Sequence, residues 1–141
     1  MILLSACSTA TRFKEYSGAD RGFLAASLVA SSTTNYDSYM VFYKKKDGTG
    51  SDFFWYSQNN VWKKLRTARD FDNPNINGVV DVHTLPPGDY AITFYRITDA
   101  GRNWRWEPKN QFSYDFSIEK NKITYIGEIK ADGTKGKTCF A

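Results

Sequence analysis

The chain contains one histidine, His83, which follows Asp81 by two residues. In an extended segment that spacing puts both side chains on one face with Val79, opposite Val80 and Val82. A carboxylate beside an imidazole is a fragment of a hydrolase triad, because the acid fixes the tautomer and supports the imidazolium. No Ser or Cys stands in a nucleophile-elbow context to complete it. The plainer expectation is that Asp81 and His83 line the exposed polar face of a half-buried sheet. Paired carboxylates would serve glycan hydrolysis. Here Asp37, Asp47, Asp52, Asp89, Asp99 and Asp132 are scattered, most beside Gly, Asn or Ser as turn-forming Asp is. Asp70, Asp72, Asn73 and Asn75 offer the oxygen ligands of a Ca²⁺ site but lack its loop pattern, so an ordinary turn is expected. The two cysteines, Cys7 and Cys139, form no C-x-x-C motif and no Cys/His cluster. The chain is therefore read as non-catalytic, with no cofactor and no metal.

The string Arg102-Asn103-Trp104-Arg105-Trp106-Glu107-Pro108 carries a different chemistry. If extended, it places Trp104 and Trp106 on one face with Arg102 and Arg105 flanking them. Exposed Trp stacks on sugar rings or sits at a membrane interface, and Arg pairs with phosphate or carboxylate. These four residues are the candidate ligand-binding set, for a glycan, an anionic head group or another envelope protein. The competing expectation is that both Trp cap the open end of a core. Trp55 and Trp62 sit in strand-like runs and are expected inside.

The N-terminus has its own signal. Leu4-Ser5-Ala6-Cys7 resembles the lipobox of bacterial lipoproteins, and Ser8-Thr9-Ala10-Thr11 follows as a small polar tether. The resemblance implies cleavage before Cys7, a diacylglyceryl group on its thiol, and a membrane-anchored protein of the bacterial envelope facing the periplasm, with the outer membrane expected. It divides the chain into a signal-peptide remnant (1–6), a lipidated Cys and tether (7–21) and one domain (22–141). A lipidated Cys7 cannot pair, which leaves Cys139 single.

The elements that must position these groups read as β. Of 141 residues, 41% are hydrophobic, 24% charged and 16% aromatic. That suits one self-sufficient globular domain and excludes disorder, a coiled coil or a repeat array. The net charge of +4 is interspersed, not gathered into a nucleic-acid-binding stripe. The basic runs Lys44-Lys45-Lys46 and Lys63-Lys64-Arg66-Arg69 read as solvated strand ends or turns. Strands are expected over 23–30, 39–43, 53–56, 61–65, 79–83, 90–97, 112–118 and 123–129, with strict alternation from Tyr90 to Ile97 and a long polar loop over 98–110. The turn signals are Asp47-Gly48, Pro86-Pro87-Gly88 and Asn121. About seven short strands joined this way indicate an antiparallel sandwich.

The string Val82 to Ile92, through Leu85-Pro86-Pro87-Gly88-Asp89-Tyr90, resembles a hairpin of transthyretin-like, carboxypeptidase-regulatory-like β-sandwiches. The stretch from Phe112 to Tyr125-Ile126-Gly127-Glu128-Ile129 is similar to uncharacterised bacterial lipoproteins built on such sandwiches. The resemblance implies an accessory, stalk or binding domain with no shared catalytic residues. The leading expectation is a lipid-anchored envelope protein whose β-sandwich binds or scaffolds. The alternative is a soluble module that binds glycan or an anionic ligand through the Trp/Arg loop. A small hydrolase using His83 and Asp81 is the third. A strand edge left open near the C-terminus would invite a partner strand.

Overall fold

The computed structural model describes residues 16–31, 36–58 and 68–131. Its strands are β1 (Gly22–Ser31), β2 (Ser38–Lys45), β3 (Ser51–Ser57), β4 (Phe71–Asp72), β5 (Ile76–Leu85), β6 (Gly88–Asp99), β7 (Trp104–Trp106), β8 (Tyr114–Ile118) and β9 (Ile123–Ala131). One sheet has the order β4-β5-β1-β9. The other has β3-β2-β6-β7, with β8 paired to β6 beside β7. We refer to them as sheet A and sheet B. Cys7, Trp62, Lys63, Lys64, Arg66, Asp132 and Cys139 lie outside the described residues.

Alternation decides which side of each strand is buried. Leu24, Ala26, Leu28 and Ala30 of β1 face Tyr39, Val41 and Tyr43 of β2 and Phe54 and Tyr56 of β3 across one shared core. The small residues of β1 leave room for the rings opposite, as interdigitating layers require. The tyrosines among them carry hydroxyls, and each hydroxyl crosses to a partner in sheet A. The Tyr39 hydroxyl bonds the Val29 and Ile129 carbonyls, each at 3.0 Å. Tyr43 reaches His83 Nδ1 at 2.6 Å. Tyr56 donates to Asn77 Oδ1. Tyr36, just before β2, donates to the Ala131 carbonyl at 2.7 Å. A buried hydroxyl without a partner costs about 1–3 kcal/mol, so these pairings fix the register of one sheet on the other.

Several expectations change. The 82–92 string is a corner, not a hairpin: β5 pairs β1 and β4, while β6 pairs β2, β7 and β8. Two prolines and Gly88, at φ +144°, turn the chain from one sheet into the other. The Tyr90 hydroxyl closes the corner on the Pro86 carbonyl at 2.6 Å. Likewise β8 and β9 flank the Glu119–Lys122 turn but belong to different sheets. Strand β9 pairs β1 in parallel, so the sheets are not purely antiparallel. Strict alternation in β6 fails at Thr93. Phe42 pairs Phe94 but Tyr43 pairs Ile92, so a bulge flips the phase and turns Tyr95 and Ile97 to the core side with Ile92. The loop expected over 98–110 contains the end of β6 and all of β7. Trp55 is on the outer face of sheet B and 39% exposed, not in the core.

Candidate functional site

His83 is fully buried while Val80 and Val82 are half exposed, the reverse of the polar-out reading. Asp81 and His83 share one face, as their spacing predicts, but it is the inner one. A carboxylate only accepts, so the proton on His83 Nε2 points to Asp81 Oδ2 at 3.1 Å. Nδ1 then accepts from the Tyr43 hydroxyl. The imidazole stacks on Phe54 with centroids 4.2 Å apart. The arrangement is a hydrogen-bonded chain inside a core, with both ring nitrogens engaged and no face open to a substrate.

The oxygen-rich cluster at 70–75 is engaged locally. Asp70 accepts from the Val80 amide at 2.7 Å, and Asp72 accepts from Arg69 at 2.7 Å. Asn73 Oδ1 accepts from the Asn75 and Ile76 amides, each at 3.0 Å, which is an Asx turn leading into β5. Among the described residues no three His, Cys, Asp or Glu side chains form a metal-binding group. In the first basic run, Lys45 pairs Asp47 at 3.3 Å and Lys46 pairs Asp115 at 2.7 Å, so these are strand-end ion pairs. The Lys46 ammonium and the Ser113 hydroxyl hold the Asp115 carboxyl below the usual range.

The Arg/Trp set is divided by the geometry. A turn over 100–103, with Asn103 at φ +54°, sends the chain back from β6 into β7. Trp104 pairs Asp99 and Trp106 pairs Ile97, so both indoles are on the inner side of sheet B, at its end. Arg105 pairs Thr98 and points to the outer side. Trp106 packs against the core, whereas Trp104 is 52% exposed. The indoles meet edge to face at 5.8 Å. The Arg102 guanidinium sits 4.7 Å over the Trp104 ring and is clamped by Asp99 Oδ2 at 2.7 Å. The Asp99 side chain is itself nearly buried, which anchors the clamp. Arg102 and Trp104 thus form one preorganised unit. Trp106 is half core, as the competing expectation had it, and Arg105 stands apart.

Sequence reading missed the neighbouring cleft. A cavity of about 260 Å³ opens where the sheets diverge, between β9 and the stretch leading into β8. Tyr95, Phe112 and Tyr114 form one lip, and Ile126, Ile129 and Ala131 form the other. Tyr95 reaches this site through the bulge at Thr93, which no alternation pattern signals. Phe112 and Tyr114, at the start of the strand expected over 112–118, are 38% and 52% exposed.

No family model matches the chain, and no curated protein matches it. Among solved structures, it is similar to part of a leucine-rich repeat protein from Bacteroides thetaiotaomicron, at 12% identity and a TM-score of 0.46. The match covers 81% of this chain and 14% of that one, so this chain spans a small part of that protein's length.

Proposed function

We propose that the protein is a lipid-anchored, non-catalytic binding domain of a bacterial cell envelope. Cys7 would carry the anchor, and the Arg102–Trp104 end of β7 would meet an anionic glycan or head group. The observation that carries the binding reading is Trp104, half exposed beneath a guanidinium already clamped by Asp99. An indole beside a fixed cation suits a sugar ring bearing carboxylate or phosphate, since little side-chain entropy remains to be lost. The anchoring reading rests on the Leu4-Ser5-Ala6-Cys7 string and the polar stretch after it. The non-catalytic reading is supported by the engagement of the sole histidine within the core. The finer reading of the sandwich as transthyretin-like rests on the sequence resemblance of the Val82–Ile92 and Phe112–Ile129 strings, the first of which forms a corner between the sheets and not the hairpin the resemblance implies.

The test is intact mass after expression in a bacterium, with Cys7→Ala beside it, followed by titration with polygalacturonate. A mature chain beginning at Cys7, heavier by acyl groups and absent in the variant, supports the anchor. An unmodified chain removes the anchor and the envelope assignment together. Quenching or shifting of Trp fluorescence by polygalacturonate, lost in Trp104→Ala, supports the site. Binding that persists in Trp104→Ala overturns it.

A further inference from the structure

We propose that the cleft beside β9 holds one alkyl chain, and that the anionic head of the same molecule is what meets Arg102 and Trp104. The ligand is then a single-chain anionic lipid. The head-group half rests on the proposed function, and the chain half rests on the cleft alone.

The walls of the cleft decide the chemistry of its guest. Val41, Ile92 and Ile97 from sheet B face Ile126 and Ile129 from β9. The polar groups at its deep end are already engaged. The Tyr39 hydroxyl bonds the Val29 and Ile129 carbonyls, and the Tyr36 hydroxyl donates to the Ala131 carbonyl. A sugar or a peptide would give up hydrogen bonds to water at this end, where those groups already serve the protein. A hydrocarbon gives up none and gains by leaving water. The volume of about 260 Å³ admits roughly eight or nine groups the size of a water or a methylene, at ~30 Å³ each. Phe112 and Tyr114 are exposed at the mouth, and a bound chain would cover this apolar surface.

The register of sheet B then connects the cleft to the head-group site. Tyr39, Ile97 and Trp106 oppose one another across three neighbouring strands. Tyr39 and Ile97 line the cleft, and Trp106 is the next side chain in that row. Trp104 is the diagonal neighbour of Ile97, a separation of about 7–8 Å in an antiparallel pair. The two indoles meet edge to face at 5.8 Å, and the Arg102 guanidinium sits 4.7 Å over the second of them. The row therefore leads from the cleft to the cation within the length of one small lipid. Charge selects the head. Glu128 and Lys130, exposed on the β9 rim, are one of each sign and give no net preference. The guanidinium on the Trp104 side favours carboxylate or phosphate.

The test titrates the full chain calorimetrically with butyl, hexyl, octyl, decyl and dodecyl phosphate, each below its micelle threshold. Affinity should rise about three- to fourfold per methylene, as burial of CH₂ dictates, and level off at about eight or nine carbons, when the cleft is full. Ile126→Trp, which fills the cleft, and Phe112→Ser, which removes an exposed lip, should each flatten the series and weaken octyl phosphate about tenfold. Phe112 is exposed, so that variant keeps the fold even if Ile126→Trp does not. Trp104→Ala should weaken every member by one common factor and leave the slope per methylene intact. Benzyl phosphate that binds as well as octyl phosphate would make the guest a ring and overturn the alkyl assignment. Phosphatidylglycerol vesicles should not compete with octyl phosphate, and competition overturns the single-chain assignment. Affinity that keeps rising to dodecyl phosphate, or a series that both cleft variants leave unchanged, is adsorption elsewhere and overturns the proposal. Trp104-dependent binding of polygalacturonate with no chain-length effect also overturns it, while leaving the head-group site standing. A series that keeps its slope and is unmoved by Trp104→Ala overturns the head-group assignment and the Arg102–Trp104 reading with it.

Discussion

Tyr43 and Trp104 are both aromatic side chains with one polar hydrogen, and both stand on strands of sheet B, yet the molecule treats them oppositely. Tyr43 is 1% exposed, ringed by Phe54, Tyr90 and Phe116, and its hydroxyl bonds His83. Trp104 is half exposed, and its ring face is offered to a cation. Around Tyr43 the polar atoms bond one another, so the region is committed to stability. Around Trp104, apolar surface remains exposed, so the region can be committed to a partner. Residue type does not distinguish the two. What does is whether the opposite sheet reaches far enough to cover the side chain.

The comparison predicts a steep gradient in the cost of truncation. His83→Ala should be the most damaging change, at about 3–5 kcal/mol, because it opens a cavity against Phe54 and removes the acceptor of the Tyr43 bond. Urea denaturation should show a lower midpoint at unchanged slope. A loss under 1 kcal/mol would show that this region is not the rigid one. Trp106→Ala should come next, at about 2 kcal/mol, since only part of that indole is buried.

Tyr39→Phe sharpens the contrast through pH. It removes a hydroxyl bonded to two carbonyls, at a cost of about 1–2 kcal/mol near neutral pH. Burial pushes the Tyr39 hydroxyl well above the ordinary tyrosine range. For an acid raised on folding, the stabilisation is complete below its unfolded value, about 10, and is lost as pH climbs towards the folded one. The wild type should therefore lose stability above about pH 10 by circular dichroism. Tyr39→Phe should lose less over the same interval, with Tyr90, also raised by burial, accounting for part of the remainder.

How much of this was legible in the sequence follows from the range of the forces involved. The Asp47-Gly48 turn and the Pro-Pro-Gly signal are local, and each marks a real strand end or turn. The partner of each strand is not local. Nothing in Leu85–Tyr90 distinguishes a hairpin from a corner, because both use the same turn residues. The face of β5 that turns inward could not be read either. Val80 and Val82 are more apolar than Asp81 and His83, and by transfer energy alone they belong inside. The outcome depends on Tyr43 arriving from the other sheet to bond the imidazole. The Arg/Trp string stands out in the sequence, but its division does not. A two-residue period groups Trp104 with Trp106, whereas only the end of the sheet determines which of them is covered.

The smallest expected effect on stability is the most informative about function. Trp104→Ala removes a ring that is half in water and that meets the Trp106 edge and the Arg102 guanidinium. Stability should change by less than about 0.5 kcal/mol, within the range of ordinary surface substitutions. An exposed cation–π contact of about 0.5–1 kcal/mol is partly offset when the freed side chain regains rotamer freedom. Arg102 keeps its bond to Asp99, so the loop should hold its shape. If ligand binding falls while the denaturation curve barely moves, Trp104 is surface reserved for a partner. If the curve falls by as much as for Trp106→Ala, the indole is a lid on the open end of the core, and the contrast between the two regions disappears.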